Sequence, residues 1–164
     1  MAAQEAQDRP ATAEELAVFR ELVDRWAAAE LTTNPLVAHV EAVPSERRWL
    51  VRLRGEDKAV ITVWLTLGER TPQFETYFMP APEEQLAETY EYLLRLNARL
   101  YGMRFSIGPE DAVYLTGQVP LKALDVEELD RIVGASYAYC EQYFRAALGI
   151  GFASRLAPPP PAGA

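Results

Sequence analysis

The hydrophobic pattern of this chain alternates between two periods, and that alternation limits its fold more than any other feature. Leu16, Phe19, Val23 and Trp26 recur at helical spacing, and Thr12 followed by Glu15 has the spacing of a capping box. The spacing predicts a first helix from about residue 13 to 31, ended by Asn34-Pro35. From Leu36 to Met79 the period falls to two. Leu36 to Val43 reads as a short, weak strand closed by Pro44-Ser45-Glu46. Trp49, Val51 and Leu53, then Ile61, Val63, Leu65 and Leu67, occupy alternate positions on either side of a turn at Gly55-Glu56-Asp57. Phe74 to Met79 is a further extended run.

The helical period returns at Pro82, which suits a first helical position, with Glu83 and Glu84 at the positive end of the helix dipole. Leu86, Tyr90, Leu93 and Leu100 mark the stripe of this second helix, and Gly102 is its left-handed stop. Met103, Phe105 and Ile107, a turn at Gly108-Pro109-Glu110-Asp111, and Val113, Leu115 and Gly117 form a hairpin. Asp125 with Glu128 opens a third helix, whose stripe runs from Leu129 through Cys140 to Ala147. The order is helix, three or four strands, helix, hairpin, helix. Short connections between these elements make this an α+β protein around one antiparallel sheet with one face buried.

Its 164 residues correspond to one domain, and 49% hydrophobic with 24% charged residues is an ordinary globular balance. The net charge of −8 repels phosphate backbones, so no nucleic-acid partner is expected. A single Cys and a single His exclude a disulfide framework and a His/Cys zinc cage within one chain. The opening residues carry no basic, apolar leader, and no apolar run approaches membrane-spanning length, so the expectation is a cytoplasmic domain without metal or cofactor.

No catalytic constellation emerges. His39 lies in the weak first strand with no nucleophile near it in sequence, and Cys140 sits mid-helix on an apolar stripe, the setting of a small buried hydrophobe. The carboxylate pairs Glu83/Glu84, Glu110/Asp111 and Glu127/Glu128 fall at helix starts and turns. Glycines form no phosphate-cradling loop. Asn97 is the odd polar residue on the second helix, read as a buried amide satisfied by backbone groups or as a polar residue fixing register across a dimer. The informative feature is the second face of the sheet. If the Trp49, Ile61, Phe105 and Leu115 sets point at the helices, the opposite face collects Leu50, Arg52, Trp64, Tyr77, Met79, Arg104 and Tyr114. Aromatic side chains, Met and Arg are those enriched in protein-binding patches.

Three runs carry a family resemblance: Tyr92–Gly102 (YLLRLNARLYG), Glu110–Gly117 (EDAVYLTG) and Leu148–Ser154 (LGIGFAS). Together they resemble the YbjN-type proteins, in particular the actinobacterial branch, over roughly residues 12–155. The resemblance implies the type III secretion chaperone-like fold, with helix, three strands, helix, two strands and helix around one antiparallel sheet. It also implies a small dimeric module that binds peptide segments of other proteins or acts as a regulator, without a defined active site.

These readings give a flexible end over 1–11, one domain over 12–155 and a disordered Pro-rich tail over 156–164. The functional expectation is a non-enzymatic peptide-binding module using the aromatic/Arg face. The alternative is a ligand sensor or small enzyme with a pocket between sheet and second helix, served by Asn97, His39 and Arg70. Tyr92, Leu96 and Tyr101 lie off the second helix's stripe and widen its apolar band, which predicts a homodimer with this helix at the interface.

Overall fold

Thr12 caps the first helix in both directions. Its hydroxyl accepts from the Glu15 N–H at 3.2 Å, while the Glu15 carboxylate accepts from the Thr12 N–H at 2.8 Å. The helix, α1 (Ala13–Thr33), is followed by β1 (Val37–Val43), a 3-10 turn over Pro44–Glu46, β2 (Arg48–Arg54), β3 (Val60–Thr66) and β4 (Gln73–Met79). Then come α2 (Leu86–Asn97), β5 (Arg104–Ile107), β6 (Val113–Gln118), α3 (Val126–Gly151) and the short α4 (Ala153–Leu156). This computed structural model describes residues 9–157, so most of the two expected loose ends, residues 1–8 and 158–164, lies outside the described residues. Within the described part, Arg9 pairs with Glu15 at 2.7 Å and the Ala11 N–H donates to the Glu69 carbonyl, which ties residues 9–11 to the domain.

All six strands form one antiparallel sheet in the order β1-β2-β3-β4-β6-β5. Four strands precede α2, the upper of the two counts that the alternation allows and one more than the three in the order the resemblance implies, because the weak Leu36–Val43 segment pairs with β2 as a full member of the sheet. The buried cluster joins Leu16, Val23 and Trp26 of α1 and Leu129, Ile132 and Cys140 of α3 to one face of the sheet, represented by Val51, Ile61, Val63 and Leu115. Burial of these apolar side chains is the main stabilising term. Two tryptophans reach the core without leaving an N–H unpaired: Trp26 donates to Asp130 and Trp49 to Asp24, each at 2.7 Å. Gly117 is required by close approach, since a β-carbon there would strike the Phe74 ring and the Gly102 carbonyl.

The start of α2 differs from the expectation. Pro82 is not its first residue; the helix begins at Leu86 after Gln85, which adopts a left-handed conformation at φ 49°. The amides of Glu83 and Glu84 instead donate to the carbonyl of Gly151 at 3.0 and 3.1 Å, and the Glu84 carboxylate accepts from the N–H and hydroxyl of Ser154. These acidic residues therefore finish α3 and start α4. The stripe of α2 turns accordingly. Thr89, Leu93 and Leu96 are buried, while Leu86 is exposed.

Candidate protein-binding face

The outer face is built from the alternate residues that the helices leave behind. In one cross-strand row Arg48 stands opposite Thr66, Thr66 opposite Gln73 and Gln73 opposite Gln118. In the next, Glu41, Leu50, Trp64, Glu75, Thr116 and Arg104 follow one another across the whole sheet. Beyond it, Arg52 faces Thr62 near one edge, and Tyr77, Tyr114 and Ser106 line up near the other.

Local contacts fix the side chains on this face. The Arg48 guanidinium lies over the Trp64 ring at 4.0 Å and pairs with Glu75 at 2.7 Å, which holds the indole against the sheet. Tyr77 and Tyr114 meet edge to face at 5.5 Å. Partial burial, with Tyr114 and Glu110 nearby, raises the Tyr77 hydroxyl above its ordinary pKa. Arg48, Gln73, Glu75, Arg104, Thr116 and Gln118 are among the residues lining a groove of about 490 Å³ across the face. Arg48 Nε is buried there without a hydrogen-bond partner. Arg48, Gln73, Glu75 and Gln118 were not singled out from the sequence, although the two-residue alternation that selected Arg52 and Trp64 places them on the same side.

The structure brings Arg52, Trp64, Tyr77, Arg104 and Tyr114 onto one face, and corrects the set in two places. Met79 is fully buried with the core, its side chain ending beside Gly151. A register break between Tyr77 and Met79 is responsible: the extra residue reverses the alternation, so Phe78 and Met79 are both buried. Leu50 does belong to the outer side, but between Glu41 and Trp64 it is only 5% exposed and offers little surface. Ile107, expected to face the helices, is exposed at the end of the edge strand β5.

Of the three residues expected at a dimer contact on α2, one is withdrawn into the core. Leu96 is buried in its own protomer's core, because the helix stripe is centred on Leu93 and Leu96. Tyr92 packs partly against that core, and Tyr101 is exposed with its ring under the Arg131 guanidinium at 5.1 Å. Asn97, His39 and Arg70 do not converge on a pocket. His39 is on the β1 edge, Arg70 lies in the loop between β3 and β4, and Asn97 reaches the opposite edge at β5. Asn97 is instead a satisfied, half-buried amide, accepting from the Phe105 N–H at 2.7 Å and donating to the Phe105 carbonyl at 3.1 Å. Burial pushes the Cys140 thiol up to about 12, against the opposing charge of nearby Lys58 and with Glu141 reinforcing it, which leaves no thiolate nucleophile.

Among the described residues, no group of three His, Cys, Asp or Glu side chains is placed to hold a metal ion, and no helix is long and apolar enough to cross a membrane. Solved structures of similar fold are type III secretion chaperones. One chain of the HopA1–SchA chaperone–effector complex superposes with a TM-score of 0.55 at 15% identity, covering 84% of this chain and 99% of that one. A second match is the Yersinia pestis chaperone SycH in complex with a fragment of YscM2, with a TM-score of 0.51 at 15% identity, covering 80% and 98%. At this identity the likeness establishes the fold alone. In sequence, an uncharacterized protein of Mycobacterium tuberculosis (strain H37Rv) is 36% identical over 107 residues, 65% of this chain and 58% of that protein. One from Mycobacterium leprae is 29% identical over 109 residues, 66% of this chain and 59% of its own length. The match thus spans less than two thirds of these relatives. The profile of the YbjN family, described as "Putative bacterial sensory transduction regulator", covers residues 20–148, and the chain belongs to that family.

Proposed function

We propose that this protein is a non-enzymatic protein- or peptide-binding module, chaperone-like or regulatory, that acts in the cytoplasm and binds its partner on the outer face of the sheet. The observation that carries the reading is the composition of a sheet face that none of the described helices covers. Trp64, Tyr77 and Tyr114 supply large, rigid rings, and Arg52 and Arg104 supply charged donors at its two sides. Glu41, Glu75, Thr62, Thr66 and Thr116 on the same face are ordinary solvated sheet residues, so the reading rests on the rings and arginines set among them. The likeness to chaperones solved with effector proteins supports a protein partner.

Partner capture with crosslinking and mass spectrometry, comparing wild type with the Trp64→Ala/Tyr114→Ala double variant, tests the proposal. Both rings are half-buried on the outer side and outside the helix-facing core, so the variant should fold. It is expected to lose the specific partners of the wild type. A folded double variant that retains every partner contradicts the assigned face.

A further inference from the structure

The six-stranded sheet has two edges, and they are finished differently. At the β5 edge the Asn97 amide occupies the N–H and carbonyl of Phe105, main-chain groups that an added strand would need. At the other edge β1 runs for seven residues without proline or lysine. Among the described residues, no group outside the β1–β2 ladder hydrogen-bonds to β1 from His39 to Val43. An open edge of this kind is a template for another strand unless something covers it.

The sequence of β1 points to what covers it. VAHVEAV reads almost the same in both directions. Laid antiparallel on a second copy and centred on Val40, it sets Val40 against Val40, Ala38 against Ala42, and His39 against Glu41 of the partner subunit, the last pair occurring twice. His39 and Glu41 share the outer face, their side chains are 50% and 59% exposed, and they already approach each other along the strand at 3.6 Å. Shifting the pairing by two residues one way sets Glu41 against Glu41, which repels, and the other way sets His39 against His39 and leaves each Glu41 without an imidazole opposite it, so the His39–Glu41 pairing favours the centred register. The register break between Val37 and His39 confines regular pairing to the middle of the strand.

We propose that β1 is a self-complementary edge through which two copies of this chain join about a two-fold axis, extending one sheet across both protomers. The contact lies at the edge away from α2. It makes the two outer faces continuous, so the aromatic surface of one protomer leads into that of the other.

Sedimentation equilibrium at micromolar concentration is expected to give a mass near twice 18.4 kDa. His39→Glu should weaken self-association roughly tenfold or more, because it sets carboxylates opposite each other twice, and Glu41→Lys, which removes the carboxylate facing each His39, should weaken it several-fold. Both side chains are exposed, so circular dichroism should be unchanged. Mixed in equal amounts, the two variants should pair again, since each introduced charge then meets its opposite across the axis. A wild-type mass near 18.4 kDa overturns the proposal. So does a dimer that survives both substitutions, or variants that dissociate and fail to recover each other on mixing.

Discussion

Asn97 shows how one side chain can decide what an edge strand does. Its amide offers one donor and one acceptor in the geometry of a neighbouring peptide group, and Phe105 uses both. Asn97→Ala leaves two main-chain groups of a largely buried residue without partners, so unfolding in urea should show a loss of about 1–3 kcal/mol. Asn97→Asp keeps the acceptor but sets a carboxylate against the Phe105 carbonyl, and should recover little of that loss. The sequence marked Asn97 as an odd polar residue on an apolar helix, which was enough to suggest a satisfied amide. It held no sign of the partner, because the pairing depends on how α2 lies along β5. Met79 is the converse case. Its alternation was clear, but a register break one residue long moves it from surface to core, and no local residue signals that break.

Among the elements, caps formed within one segment were legible and those formed between segments were not. Thr12 with Glu15 and Asp125 with Glu128 act within a turn of their own helices, as their spacing implied. Glu83 and Glu84 are spent on the end of α3, and this shifts the start of α2 and the face it buries. The loop between β2 and β3 is another long-range case. Glu141 of α3 accepts from the N–H groups of Glu56, Asp57 and Lys58, at 2.8, 3.0 and 3.0 Å. Burial works to raise the Glu141 pKa, but these three donors, with Arg145 nearby, hold it below the usual carboxylate value. A carboxylate whose pKa is depressed on folding stabilises the protein above its unfolded pKa, and the contribution is lost as pH falls from there through the folded value. Glu141→Gln is therefore expected to cost about 1–2 kcal/mol near neutral pH and progressively less in acid. Chemical denaturation of both proteins across that range checks this: a penalty that does not shrink in acid places the carboxylate's role elsewhere.

For the whole molecule, the period changes along the chain were sufficient to give the α+β class, one antiparallel sheet and the separation of its two faces. This follows because antiparallel strands with one buried face write that burial directly into alternate residues. The arrangement of the outer surface was less accessible. Register across six strands decides that Arg48 lies over Trp64, that Tyr77 meets Tyr114, and that the groove passes between Arg48 and Arg104. The central claim is that partners bind this face and not the helical side. Site-specific photocrosslinking tests it most directly, with benzoylphenylalanine placed at Arg52 on the outer face or at Glu127 on α3, both exposed positions. Polypeptide adducts from the Arg52 position, with none from the Glu127 position, are the expected result; equal yields from the two positions, or adducts from Glu127 alone, would contradict the account.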